Sequence, residues 1–246
     1  VPDLAWWRWA LIAFSAFSIG LAKTGVPGLG ILAVPMAVLA VGDARQSSGW
    51  LLPLLIFADT LAVWIFRKNP SARAIFGLAP WVGAGMLAGA FVLGYPEGVI
   101  RPVVGVILLI ILTLFLLRQR GVDLTPVNAP WTPGVYGTSA GFATMVANAA
   151  GPVMNVYLLS RKLPREDFVA ASAWFFFFIN LAKMPVYWWR GMIDTTSLRA
   201  DLILIPAVVA GAFTGRRVLA LMPERVFVAV VTVLAFVATL LLFVPK

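Results

Sequence analysis

The feature that most constrains this chain is the recurrence of long apolar runs separated by short basic loops. Phe76–Leu93 and Val226–Val244 contain no charged residue, and Gly49–Phe66 contains one carboxylate, Asp59. Runs of about 20 apolar residues have the length needed to cross a bilayer as helices. Lipid offers backbone N–H and C=O groups no partner, so a spanning chain must be helical or form a closed barrel. These runs are continuous rather than alternating with period two, which selects helices. Only 12% of the residues are charged and 61% are hydrophobic, whereas a soluble domain is about a quarter charged. The expected fold class is an all-α polytopic membrane protein.

The net charge of +9 does not point to nucleic acid, because the basic residues sit in the loops and serve orientation. The lipid bilayer is one expected partner, and Lys23 and Lys183, two lysines within apolar runs that hold one carboxylate, add a small anionic substrate. The oligomeric state stays open. The chain has no cysteine and no histidine. That removes disulfides, thiolate and imidazole metal sites, and histidine-based proton relays or triads. No cofactor, metal site or catalytic residue is expected. Trp6–Ala22 has the look of a leader. Its flank carries Asp3 and it lacks a small-residue cleavage site, so it reads as mature sequence, trimmed ahead of Val1.

Within the first apolar run lies Gly20-Leu21-Ala22-Lys23-Thr24-Gly25-Val26-Pro27-Gly28-Leu29-Gly30. Glycine and proline interrupt helices, and a lysine at membrane depth is expensive unless it is paired or faces a polar cavity. Arms 6–22 and 29–41 on either side read as a re-entrant helical hairpin. A second break, Asn148-Ala149-Ala150-Gly151-Pro152, separates arms 134–147 and 153–160.

The two breaks belong to a duplication. At an offset of 121, Ser18 meets Ser139, Gly20 meets Gly141, Ala22 meets Ala143, Gly30 meets Gly151 and Asp59 meets Asn180. At an offset of 126, Pro80, Val82, Ala84, Gly85 and Gly89 meet Pro206, Val208, Ala210, Gly211 and Gly215. Residues 1–120 form a first membrane repeat, 121–133 a linker and 134–246 a second repeat. Each repeat holds a broken hairpin and three further spans: 49–66, 76–93 and 99–117, then 168–189, 202–215 and 226–244. If the hairpins re-enter, eleven loop Lys and Arg residues fall inside and six outside, with Arg101 counted outside. If each broken segment crosses once, the best division is nine to eight. The positive-inside rule therefore favours two inverted repeats with both termini outside.

Lys23, Asp59 and Lys183 lie at membrane depth, two positive charges against one negative. Each hairpin also begins its second arm at a proline-glycine break, where a helix N-terminus presents unpaired N–H groups. Repeat-built transporters place substrates at such discontinuous helices. The candidate anion-binding residues are Lys23, Thr24, Gly25, Gly28, Asn148, Gly151, Asn180 and Lys183, in a midplane site between the two hairpin tips. Asp59 is the candidate for proton coupling, the one carboxylate expected deep in a span. Plainer readings stand beside these. Lys23 and Lys183 can snorkel to a surface, Asp59 can neutralise a lysine structurally, and Asn180 can be interhelical glue. Phe175–Phe178 reads as lipid-facing or packing bulk.

Five motifs together resemble those of the sulfite exporter TauE/SafE family over nearly the whole chain. They are Gly20-x-x-Lys23-Thr24-Gly25-x-Pro27-Gly28-x-Gly30, Arg45-x-x-x-Gly49-x-Leu51-Leu52-Pro53, Ala58-Asp59, Asn148-x-Ala150-Gly151-Pro152 and Phe175-Phe176-x-x-x-Asn180-x-x-Lys183-x-Pro185. The resemblance implies export of sulfite or organosulfonates such as sulfoacetate across a bacterial inner membrane. The alternatives are an exporter or channel for another small anion, or a non-transporting membrane scaffold. A membrane-embedded enzyme would need a nucleophile with a base, or a metal, and a chain with no histidine, no cysteine and one carboxylate within a span is poorly equipped for either. It has no phosphate-binding loop for direct ATP drive.

Overall fold

The computed structural model describes residues 5–42, 44–67, 73–92, 97–119, 129–147 and 149–241. Among these, every regular element is helical. In chain order they are α1 (Trp6–Thr24), a 3-10 turn (Leu29–Leu32), α2 (Ala33–Val41), α3 (Ala44–Ile65), α4 (Arg73–Phe76), α5 (Ala79–Val92), α6 (Glu97–Gln119), α7 (Thr132–Ala147), α8 (Ala150–Ser160), α9 (Arg165–Trp189), α10 (Thr195–Leu221) and α11 (Glu224–Leu240). Among the described residues three helices are long and apolar enough to cross a membrane: α3, α9 and α10. Most of the expected linker, residues 121–128, and Asn148 at the second break lie outside the described residues.

Two compact units emerge, and they do not follow the two halves of the sequence. One comprises Val1–Pro70 with Arg165–Phe227, the other Ser71–Pro164 with Val228–Lys246. The first unit holds α1, α2, α3, α9 and α10. Its broken segment doubles back on itself. Ser15 of α1 donates to the Ala33 carbonyl of α2 at 2.7 Å, and a Cβ on Gly30 would touch the Cβ of Ala22. The turn is made where helix geometry fails. Gly28 sits at φ 109°, a left-handed conformation that a side chain opposes.

Lipid gives apolar helices no reason to leave it for one another, so close backbone packing and hydrogen bonds must hold them together. Small residues supply that closeness between α1 and α10. A Cβ on Gly20 would collide with the Val208 carbonyl, and one on Gly211 with the Phe17 carbonyl. Further along, Gly25 lies against the backbone of Gly215. The contacts advance in the same direction on both helices, so α1 and α10 run parallel. α3 and α9 run antiparallel: Gly49 abuts the Met192 carbonyl, Leu52 clusters with Tyr187 and Ile193, and Asp59 meets Asn180. A buried apolar cluster joins Ile12 and Ala16 of α1, Trp50 and Leu54 of α3, and Leu204 and Val208 of α10.

The second unit repeats the first contact with different helices. Gly141 of α7 lies against the Val82 carbonyl of α5, and Gly85 of α5 against the Thr138 carbonyl of α7. These are the counterparts of Gly20 on Val208 and Gly211 on Phe17, at the same two offsets. Here too the broken segment folds back, with the rings of Tyr136 on α7 and Tyr157 on α8 at 5.3 Å. One expected span differs. The run 76–93 is interrupted, with α4 ending at Phe76, a turn at Gly77-Leu78, and α5 beginning at Ala79. Its counterpart α10 passes straight through, having Ile203-Leu204 where the first half has Gly77-Leu78. Glycine is a weaker helix former than isoleucine, standing about 1 kcal/mol below alanine, and Pro80 then fits the first turn of the new helix. The second break is also shorter than its sequence implies. α8 starts at Ala150, so Gly151 and Pro152 belong to its first turn, where proline's missing N–H costs no hydrogen bond.

Candidate functional site

The polar cluster of the first unit is built from three helices. α1 brings Lys23 to its last turn, α3 brings Asp59, and α9 brings Asn180 and Lys183. Asp59 is fully buried. The Lys23 ammonium lies 2.7 Å from its Oδ1, and the Asn180 amide donates to its Oδ2 at 2.7 Å. Asp59 and Asn180 are repeat counterparts, so a residue and its own equivalent touch. Lys23 therefore does not snorkel. Its side chain is 13% exposed, turned inward, and its ammonium stands 4.1 Å from the centre of the Phe176 ring. A ring face attracts a cation more strongly when the pair is dry.

Lys183 is 1% exposed, so it does not snorkel either. It lies one turn beyond Asn180, with its ammonium 5.5 Å from the Tyr187 ring centre. It is near enough to Asp59 and Lys23 to interact electrostatically with both. Phe176, Asn180, Lys183 and Tyr187 thus form one face of α9, at helical spacing. Phe176 packs against the polar cluster, a contact that the reading of Phe175–Phe178 as bulk passes over. Its position four residues before Asn180 was the available signal. Phe178, by contrast, is exposed.

Thr24 and Gly25 sit at the hairpin tip as packing elements. The buried Thr24 hydroxyl contacts the Ala212 carbonyl of α10 at 2.6 Å and the Gly20 carbonyl at 3.1 Å. Gly25 has no room for a side chain against Gly215. Gly28 supplies the turn. In the second unit, α8 begins at Ala150, and the residue ahead of it, Ala149, provides no side-chain cap. A Cβ on Gly151 would meet nothing within 4 Å. Neither packing nor backbone angle requires a glycine there. Thr144 stands at the position equivalent to Lys23.

A second buried carboxylate corrects the expectation that Asp59 is alone at depth. Asp201 of α10 is 5% exposed, and neither of its oxygens has a hydrogen-bond partner. A span begun at residue 202 leaves it in a loop. The helix starts at Thr195 instead, because Asp194 accepts from the Ser197 N–H at 2.6 Å while the Ser197 hydroxyl accepts from the Asp194 N–H. Asp194-x-x-Ser197 was the readable capping signal.

The family model of the sulfite exporter TauE/SafE matches residues 12–242. The chain belongs to this family. TauE/SafE proteins are membrane transporters of sulfite and related sulfur anions, and the apolar helices described above make this member a multi-pass membrane protein. No curated protein and no solved structure matches the chain. Among the described residues no cluster of acidic side chains could hold a metal ion. The TauE/SafE match spans both hairpins and the whole polar cluster.

Proposed function

We propose that this chain is a secondary exporter of a small sulfur oxyanion, sulfite or an organosulfonate such as sulfoacetate, in a bacterial inner membrane. The observation that carries the reading is the buried cluster of Lys23, Lys183 and Asp59, whose formal charge is one positive in excess. Charge at membrane depth is kept for function. An anion would complete the cluster's neutrality by docking beside Lys183 and Lys23, with Asn180 as a neutral donor. Asp59 holds Lys23 in position while the site is empty. Thr24, Gly25 and Gly28 shape the tip that presents Lys23. At the second hairpin, the uncapped α8 N-terminus with Gly151 offers backbone N–H groups to an anion, and Asn148 adds a neutral amide to the proposed set.

Two inverted repeats with both termini outside belong to the same proposal. Loop charge supports the orientation. Support for inversion comes from α3 and α9, equivalent helices that run antiparallel and meet at equivalent residues. Self-complementary contact of this kind is what a two-fold axis perpendicular to the helices would produce.

The test uses purified protein in liposomes, offered sulfite, sulfoacetate, taurine, sulfate and chloride. We expect exchange of sulfite or an organosulfonate and none of chloride. Lys183→Ala should weaken the transported anion's apparent affinity at least tenfold, about 1.4 kcal/mol, while Lys183→Arg retains part of it. Unchanged affinity in folded Lys183→Ala protein removes Lys183 from the site. Failure to move any sulfur anion sinks the reading.

A further inference from the structure

We infer that Asp201 is the proton-binding group of this transporter, at a site separate from the anion cluster. The inference rests on the transport reading above and adds the coupled ion to it.

The buried face of α10 carries Ser197, Ala200, Asp201, Leu204, Val208 and Gly211. Ala200, Leu204 and Val208 belong to the apolar cluster shared with α1 and α3, so Asp201 enters the same packed face. Both of its oxygens are buried and partnerless. An ionised carboxylate in such a place is strongly disfavoured, and the neutral acid is far cheaper to bury. The charged groups on the helices packed against α10 do not relieve it. On α1, Arg8 lies over the Trp7 ring and Lys23 is bound to Asp59. On α3, Asp59 is occupied by Lys23 and Asn180, Arg67 lies beyond the helix's far end and is exposed, and the side chain of Arg45 lies outside the described residues. On α10 itself, Asp194 caps the helix, and Arg199, Arg216 and Arg217 are exposed.

Asp59 is less suited to carry the proton, because its two oxygens already hold an ammonium and an amide. Asp201 has no such partner to displace. Its proton comes from water and returns to water, the carboxylate forming only when the α10 face is wetted. That wetting is the coupling. α10 is fastened to the tip of the hairpin by Thr24 on Ala212, eleven residues from Asp201, about 16 Å along the helix. A proton on Asp201 favours the dry α1–α10 packing seen here, and its loss favours an arrangement in which α10 has moved. Both the anion and the proton thereby bias one element. The repeat counterpart of Asp201 is Ile75, so the device exists once.

The experiment has two arms, on wild type, Asp201→Asn, Asp201→Glu and Asp59→Asn. Infrared spectra of detergent-purified protein at neutral pH report buried carboxylic acid directly, with no substrate present. We expect a protonated C=O band that Asp59→Asn keeps, Asp201→Glu shifts and Asp201→Asn loses. In liposomes, Asp201→Asn should hold sulfite counterflow within twofold of wild type. It should lose pH-gradient-driven accumulation at least tenfold, with Asp201→Glu recovering part. The inference is overturned if no band responds to substitution at Asp201, or if Asp201→Asn accumulates sulfite at the wild-type rate. Accumulation driven by sodium and indifferent to pH overturns it too. Absence of counterflow in every protein overturns the transport reading instead, and the infrared arm still decides Asp201. Should Asp201→Asn not fold, the band shift in Asp201→Glu decides it.

Discussion

The α1–α10 pair of one unit and the α5–α7 pair of the other are the same joint made twice. In both, helices run parallel with glycine set against a facing carbonyl, Gly20 on Val208 and Gly141 on Val82, Gly211 on Phe17 and Gly85 on Thr138. Their polar content is not the same. Where α1 ends in Lys23, paired to Asp59, α7 has Thr144, and where α10 buries Asp201, the first half has Ile75. The joint has kept its backbone geometry, while the charges belong to one copy. A buried charge is tolerable where function repays its cost, and a transporter needs one anion site rather than two. The close packing, by contrast, is needed wherever helices must associate in lipid.

The largest effect should come from the charged copy. Asp59→Ala leaves Lys23 without its carboxylate, and breaking a buried pair from one side costs about 3–5 kcal/mol. The Asp59→Asn/Asn180→Asp exchange keeps one carboxylate and one amide at the same pair of positions and should recover most of that loss. Unfolding in detergent measures both. If Asp59→Ala is as stable as wild type, the pair does not hold the cluster together.

The shared geometry predicts a smaller, matched pair of losses. Gly20→Ala and Gly141→Ala each drive a methyl into a facing carbonyl, and overpacking of this kind costs about 1–3 kcal/mol. Comparable drops in melting temperature support equivalent joints. A substantial loss in one and none in the other would show that only one joint is under tension.

The smallest effect is expected at Gly151, which has open space where a side chain would go. Alanine is the better helix former by up to about 1 kcal/mol, so Gly151→Ala should leave stability unchanged or slightly raised. It should lower sulfite affinity a few-fold if the open side admits the anion. A clear loss of stability would mean that the glycine serves packing after all.

Much of this was legible in the residues themselves. Apolar runs without period-two alternation dictate membrane helices, since lipid leaves the backbone no other partner. The Gly20–Gly30 stretch dictates a break, because its proline and clustered glycines interrupt a helix. The matches at two offsets dictate a duplication. Among the matched glycines, Gly20, Gly85, Gly141 and Gly211 prove to lie at the helix crossings.

Other features depend on distance between segments far apart in the chain, and only the tertiary structure decided them. The pairing of α1 with α10 and of α5 with α7 joins opposite halves of the sequence, so the compact units differ from the repeats. Periodicity within one helix carries no information about which helix lies opposite. Lys23 at membrane depth admits snorkelling as well as pairing until Asp59, 36 positions away, is found 2.7 Å from its ammonium. Thr24 and Gly25 belong to the motif, yet their contacts are with Ala212 and Gly215. Asp201 reads as a loop residue beside an apolar run until the Asp194–Ser197 cap moves the helix start to Thr195. Composition and pattern settle what each segment must be, because solvent acts on every residue alone. Which charges meet, and which are left without a partner, follows from packing between segments.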